Sequence, residues 1–147
     1  MDGRDYHFLS TEEFARRVDA GDFLEHVTFV SGHRYGTLQS EVDRILGAGR
    51  SCVLELETKG AKAVELRTRE AVSIFVQAPS FHELERRLRE RATESAGEIG
   101  ERLAVARAQM GEAGDFDHVV TNDDVERAVA RIEAILDREL VGKLSAR

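Results

Sequence analysis

Three places in this sequence gather polar and charged side chains at the ends of short apolar runs. Glu55 and Glu57, with Lys59-Gly60, close the run CVLEL; Gln77 to Ser80 follow VSIFV; Thr121 to Asp124 follow HVV. In an open α/β sheet, ligands bind beyond the carboxyl ends of the strands, so chemistry is expected at these tips. A fourth stretch, RRLRERATES, begins late in the pattern after VSIFV. Its planar, permanently charged guanidinium groups suit several phosphate oxygens at once. Taken alone, the same run also reads as a solvated helix face.

These tips need elements to carry them. Ser10-Thr11-Glu12-Glu13 has the form of a capping box, Phe14 and Val18 follow four residues apart, and Gly21 predicts the stop of that first helix. The β-branched and aromatic stretch FLEHVTFV, then Ser31-Gly32 and HRYGT, predicts a bent antiparallel ribbon. Val42, Ile45 and Leu46 recur at helical spacing before Gly47 and Gly49. CVLEL, VSIFV and HVV are each followed by a helical pattern, which predicts three parallel strands buried on both faces with crossover helices. Ser80 to Glu83 and Ser95 to Glu98 open two helices, and Asn122-Asp123-Asp124 opens the last. Val125, Val129, Ile132, Ala134, Ile135 and Leu136 are expected to form the packing side of that last helix. The fold class read from this order is α/β, an open parallel sheet with a mixed β lobe ahead of it.

Bulk properties exclude several classes. The chain has 147 residues and a formal net charge of -7, and its basic residues do not cluster strongly, so a nucleic-acid partner is not expected. The single cysteine, Cys52, sits in an apolar run and makes no disulfide framework or metal-knuckle spacing. No stretch approaches the length of a membrane span, and no signal-type apolar segment opens the chain. A cytoplasmic location follows as the expectation.

The segments DGRDYHFLS, FLE, RYGT, ELETKGAKAV, ERRLRERATES and VVTNDD stand in an order and at a spacing that resemble the guanylate kinases, from Asp2 to about Leu140. The resemblance implies the nucleoside-monophosphate-kinase version of the P-loop fold, in one domain. Within it, about 2–50 would be the GMP-binding region, about 51–88 core, about 89–112 a mobile lid, and about 113–140 core with the C-terminal helix. It implies phosphoryl transfer from ATP to GMP with Mg2+ accompanying ATP, and GMP and ATP as the small-molecule partners.

Residue by residue, the resemblance makes Tyr6 and Tyr35 the hydroxyls that bind the GMP phosphate, unless both are packing aromatics. Glu25 becomes the carboxylate that accepts from guanine N1-H and the 2-amino group, donors that adenine cannot reproduce. Thr37 bonds the base, caps the next helix, or does both. Glu55 and Glu57 match a pair of acids that position GMP or hydrated Mg2+, with Glu57 standing where the family usually has Asp. Arg87 and Arg91 match lid arginines that reach the ATP phosphates and the adenine side, Arg102 one aimed at the transferring phosphate, and Asn122 an asparagine near the adenine. Arg91 and Arg102 are the expected catalytic pair. No protein metal ligand is assigned. Ala92 replaces a family glycine, which implies a stiffer lid hinge. His7, His26, His33, His82 and His118 fall outside these roles and are expected on the surface or in packing.

The family also carries, ahead of the DGRDY segment, a strand, a glycine-rich phosphate loop, a helix and two arginines that hold the GMP phosphate. These 147 residues contain no G-x-x-x-x-G-K-S/T run. The expectation is an N-terminally truncated kinase domain that by itself does not turn over, because phosphoryl transfer depends on that loop for positioning and charge stabilisation. The other reading is a non-catalytic module that holds GMP or phosphopeptides on the same surface.

Overall fold

Local signals place most of the elements. In the computed structural model, residues 6–28, 32–91 and 96–144 are described. Helix α1 (Thr11–Ala20) starts where Ser10 Oγ accepts from the Glu13 N-H at 3.1 Å, and stops at Gly21, whose φ of 74° lies in the left-handed region. The Glu13 carboxylate turns to Arg16 and Arg17 instead of completing the box. Strands β1 (Phe23–Thr28) and β2 (Arg34–Leu38) form the expected antiparallel ribbon. Helices α2 (Gln39–Gly47) and α3 (Thr58–Arg67) follow.

The chain then continues into β3 (Ile74–Gln77), α4 (Phe81–Arg91), α5 (Ala96–Gly111), a 3-10 turn (Ala113–Asp115), β4 (His118–Thr121) and α6 (Val125–Leu144). Ser80 Oγ accepts from the Glu83 N-H at the start of α4, and Asp124 Oδ1 accepts from the Arg127 N-H at the start of α6. Ser95, expected to open α5, lies outside the described residues. Among the described residues no helix is long and apolar enough to cross a membrane.

Two compact units divide the chain at residues 71 and 72. In the first, Leu24, Val42 and Val64 make the buried core, with Cys52, Leu54, Leu56 and Ala71 packed against it. Phe14 of α1 rests on Phe23 of β1, ring centroids 4.7 Å apart, and the Arg34 guanidinium lies 4.7 Å from the Phe14 ring centre. In the second, β3 and β4 run parallel with Ile74 opposite His118 and Gln77 opposite Thr121. Their entry is fixed by a reciprocal clasp. Asp117 Oδ2 accepts from the Ser73 N-H at 2.9 Å and from Ser73 Oγ at 3.1 Å, while Ser73 Oγ accepts from the Asp117 N-H at 3.0 Å. Helix α6 is held to the start of β4 by His118 Nε2, 3.2 Å from Glu139 Oε1.

Two expectations are corrected. CVLEL is not a parallel strand buried on both faces: residues 51–57 form no ladder, and the parallel sheet among the described residues has two strands instead of three. An extended run becomes a strand only when a neighbour shares its N-H and C=O groups. Here alternate side chains, Cys52, Leu54 and Leu56, pack on the core while Val53 is 83 % exposed. The second correction concerns α6. Among the α6 side chains described, the buried one is Ala128; Ile132, Ile135 and Leu136 of the expected packing side are half-buried, whereas Val125, Val129 and Ala134 are exposed.

Candidate functional site

Strand β1 should alternate buried and exposed, yet Phe23, Leu24 and Glu25 are all buried. The cause is a bulge. Phe23 stands opposite Leu38 and Glu25 opposite Thr37, so Leu24 is an extra residue on β1, and a bulge of this kind re-aims the side chains around it. The bulge carbonyls of Phe23 and Leu24 accept from Arg67 Nη1, at 2.7 and 2.9 Å, which fastens the last turn of α3 to β1. Gly36 permits the ribbon's close approach, because a Cβ there would meet the Glu25 carbonyl oxygen at 2.5 Å.

Glu25 is thereby delivered into the first unit at 4 % exposure. Thr37 Oγ1 donates to its Oε1 at 2.8 Å, and Oε2 is fully buried with no hydrogen-bond partner in the protein. A buried carboxylate oxygen without a donor is costly, so it marks a place where an N-H or O-H from outside the chain would be accepted. The carboxylate lies against the first turn of α3, where a Cβ on Gly60 would come within 3.0 Å of Oε2. That turn has no acidic residue, and its cap residue, Glu57, makes no side-chain capping bond, an arrangement suited to a neighbouring negative group.

Tyr35 lies two residues from Thr37 on the same strand face. Burial first, then the charges of Glu57, Glu25 and Tyr6, push its phenol above its ordinary value. It therefore stays an O-H donor across the physiological range. Tyr6 is exposed, with its ring 6.2 Å from that of Phe8. Glu57 is half-buried and Glu55 exposed, both ahead of α3. The structure thus brings Glu25 and Thr37 into direct contact and sets Tyr35 in the field of Glu25, Glu57 and Tyr6. Glu55 takes no part in these contacts.

The remaining expected residues belong to the second unit. Arg87 donates through Nε to Glu83 at 2.7 Å and through Nη1 to the Asn122 carbonyl at 3.0 Å, so it ties α4 to the turn after β4. Asn122 N-H in turn donates to the Gln77 carbonyl at 2.7 Å. Arg87 and Asn122 were expected at one subsite, and they touch. Arg102 is exposed on α5, and α5 is joined to α4 by Arg107, whose guanidinium lies 3.9 Å from the Phe81 ring centre. The Arg91 side chain and Ala92 lie outside the described residues. Sequence reasoning placed Gly60 at a strand tip without giving it a role, and it missed Arg67 and the Ser73-Asp117 clasp. A glycine in the first turns of a helix, where most residues serve better, was the available signal for Gly60.

Glu83 organises the arginines of α4. Hydrogen bonds from Arg86, and next from Arg87, hold its carboxyl down at about 2. A folded value below the ordinary one means that the pairing's contribution is present above the ordinary carboxylate range and is lost as pH falls toward about 2. Arg87 is therefore held by Glu83 at every physiological pH. In an NMR titration of the Glu83 side-chain carboxyl, the midpoint is expected near 2, moving up further in Arg86→Ala than in Arg87→Ala. A midpoint in the ordinary range in the unaltered chain would show the carboxylate to be unpaired.

A family model described as guanylate kinase matches residues 1–139. Among curated relatives, a guanylate kinase of Frankia casuarinae is 45% identical over 92% of this chain and 73% of its own length. One of Rubrobacter xylanophilus is 44% identical over 97% of this chain and 74% of its own. Among solved structures, the crystal structure of guanylate kinase from Anaplasma phagocytophilum superposes with a TM-score of 0.76 and 32% identity, covering 95% of this chain and 67% of that one. The chain thus spans between about two thirds and three quarters of the length of these three relatives.

Proposed function

This chain belongs to the guanylate kinase family, and from that premise we propose that its first unit binds GMP and its second contributes to ATP binding, for phosphoryl transfer from ATP to GMP. One observation carries the reading: Glu25 Oε2 is buried and has no partner in the protein. Guanine offers two adjacent donors, N1-H and the 2-amino group, to such an acceptor; adenine has an unprotonated N1 and no 2-amino group. Thr37 fixes the carboxylate by donating to Oε1, and its own oxygen keeps acceptor capacity toward the base. The Tyr35 and Tyr6 hydroxyls donate to the GMP phosphate, and Glu57, with Glu55 further out, supplies the acids beside it.

In the second unit, Arg87 and Asn122 form the ATP-side pair. Arg87 is oriented by Glu83, and Arg91 and Arg102 supply the positive charge that phosphoryl transfer requires. Such catalysis is chiefly positioning and charge stabilisation, which matches a set of residues that hold ligands instead of forming bonds to them.

Among the described residues no group of three or more His, Cys, Asp or Glu side chains could hold a metal ion. The Mg2+ implied by the family would arrive on ATP, keep several waters and need only one or two carboxylates besides the phosphates; bound so, it would neutralise phosphate charge. Nothing observed favours the phosphopeptide reading over this one. The substrates are small and anionic, and the fitting location is the cytoplasm, where nucleotides are metabolised.

The test is binding of GMP and AMP to the purified 147-residue chain by calorimetry. These residues contain no G-x-x-x-x-G-K-S/T run, so affinity and not turnover is the readout. GMP is expected to bind more tightly by about 100-fold, since adenine lacks both donors, a hydrogen bond to a charged group contributes about 1.5–3 kcal/mol and each tenfold requires about 1.4 kcal/mol. Equal affinity for the two would overturn the assignment of Glu25.

A further inference from the structure

Glycine is less favourable than alanine inside a helix, and Gly60, the third residue of α3, has no backbone need for it: among the described residues the positive-φ glycines are Gly21, Gly32 and Gly49. Its surroundings supply a different reason. A Cβ at this position would lie 3.0 Å from Glu25 Oε2, 3.5 Å from Glu25 Cδ and 3.5 Å from Leu56 Cβ. The carboxylate cannot simply retreat as a whole, because Oε1 is held by Thr37 at 2.8 Å. Pressure on Oε2 instead rotates the carboxylate about that anchor, away from its buried position.

We infer that Gly60 is a positioning residue for guanine recognition: its missing side chain leaves the seat in which Glu25 Oε2 lies, so the carboxylate keeps the orientation in which it accepts from the base. The inference rests on Glu25 being the guanine acceptor. Gly60 itself touches no ligand; it acts by fixing the direction in which Oε2 accepts. A hydrogen bond weakens steeply as its angle departs from linear, so a turn of the carboxylate by a few tenths of an ångström costs affinity without disturbing the fold.

The inference predicts opposite signs for two properties of one variant. Gly60→Ala in the 147-residue chain should raise the thermal midpoint or leave it unchanged, because the helix gains a better residue. The same variant should weaken GMP binding by about tenfold, the scale set by partial loss of one charge-assisted hydrogen bond. Inosine monophosphate, which lacks the 2-amino group, should lose less, so the preference for GMP over it shrinks.

Gly47→Ala, at the end of α2 where a Cβ meets nothing within 4 Å, should change no affinity and serves as the control. If Gly60→Ala binds GMP within about twofold of the unaltered chain, below any hydrogen-bond loss, the seat is not needed. If its midpoint falls and both nucleotides weaken equally, Gly60 only packs α3. Both results overturn the inference while leaving Glu25 as acceptor. If the unaltered chain itself fails to prefer GMP over AMP, the Glu25 reading is lost first and the inference goes with it.

Discussion

Glu25→Ala is expected to weaken GMP binding by roughly 100-fold or more and to leave AMP binding nearly unchanged. The scale follows from two donors on guanine facing one carboxylate. Hydrogen bonds to a charged group contribute about 1.5–3 kcal/mol each, and about 1.4 kcal/mol is tenfold in affinity. Glu25→Gln separates shape from charge. It keeps the volume and the contact with Thr37, but it replaces one acceptor oxygen with an NH2 donor that cannot accept from N1-H or the 2-amino group. Its loss of GMP affinity should therefore approach that of the alanine variant.

Its stability should move the other way. A carboxylate at 4 % exposure with one unpartnered oxygen is an unfavourable group to bury, and an uncharged amide in its place lowers that cost. The thermal midpoint of the ligand-free Glu25→Gln chain is therefore expected at or above that of the unaltered chain, and GMP should raise the midpoint of the unaltered chain only. Retention of GMP selectivity in Glu25→Gln would remove the carboxylate from base recognition.

The second large effect is expected at the clasp between β3 and β4. Asp117→Ala removes the acceptor of both the Ser73 N-H and the Ser73 hydroxyl, and Ser73 is 7 % exposed, so water does not readily replace what is lost. Leaving a buried donor unpaired costs about 1–3 kcal/mol, and bonds to a carboxylate lie at the upper end, so a loss of about 3 kcal/mol is expected in urea denaturation followed through the second unit. Asp117→Asn keeps one acceptor oxygen and should lose less. Because the clasp sets the entry of the parallel pair, hydrogen exchange of the β3 and β4 amides should accelerate in Asp117→Ala, while the β1–β2 amides keep their protection. A change below about 0.5 kcal/mol would place Asp117 among ordinary surface residues.

Sequence by itself determined the features that act within one turn of chain. Ser10, Gly21, Ser80 and Asp124 start or stop helices where their local chemistry indicates, because a cap bonds a backbone group three or four residues away. The β-branched ribbon, the helices after each apolar run, the family and its candidate residues were legible for the same reason: they are patterns of residue type at short spacing.

Tertiary structure decided the rest, and the separations involved explain why. Glu25 meets Thr37 across 12 positions, Arg87 meets the Asn122 carbonyl across 35, and Arg67 meets the Phe23 carbonyl and Ser73 meets Asp117 across 44. Nothing in FLE says that its carboxylate is buried with one oxygen unpartnered; the bulge at Leu24, Thr37 opposite and Gly60 beneath it produce that state together. Nor does CVLEL say whether its backbone is paired. An apolar run supplies a side-chain pattern, but a ladder needs a second segment's N-H and C=O groups in register, and burial needs a neighbour to exclude water.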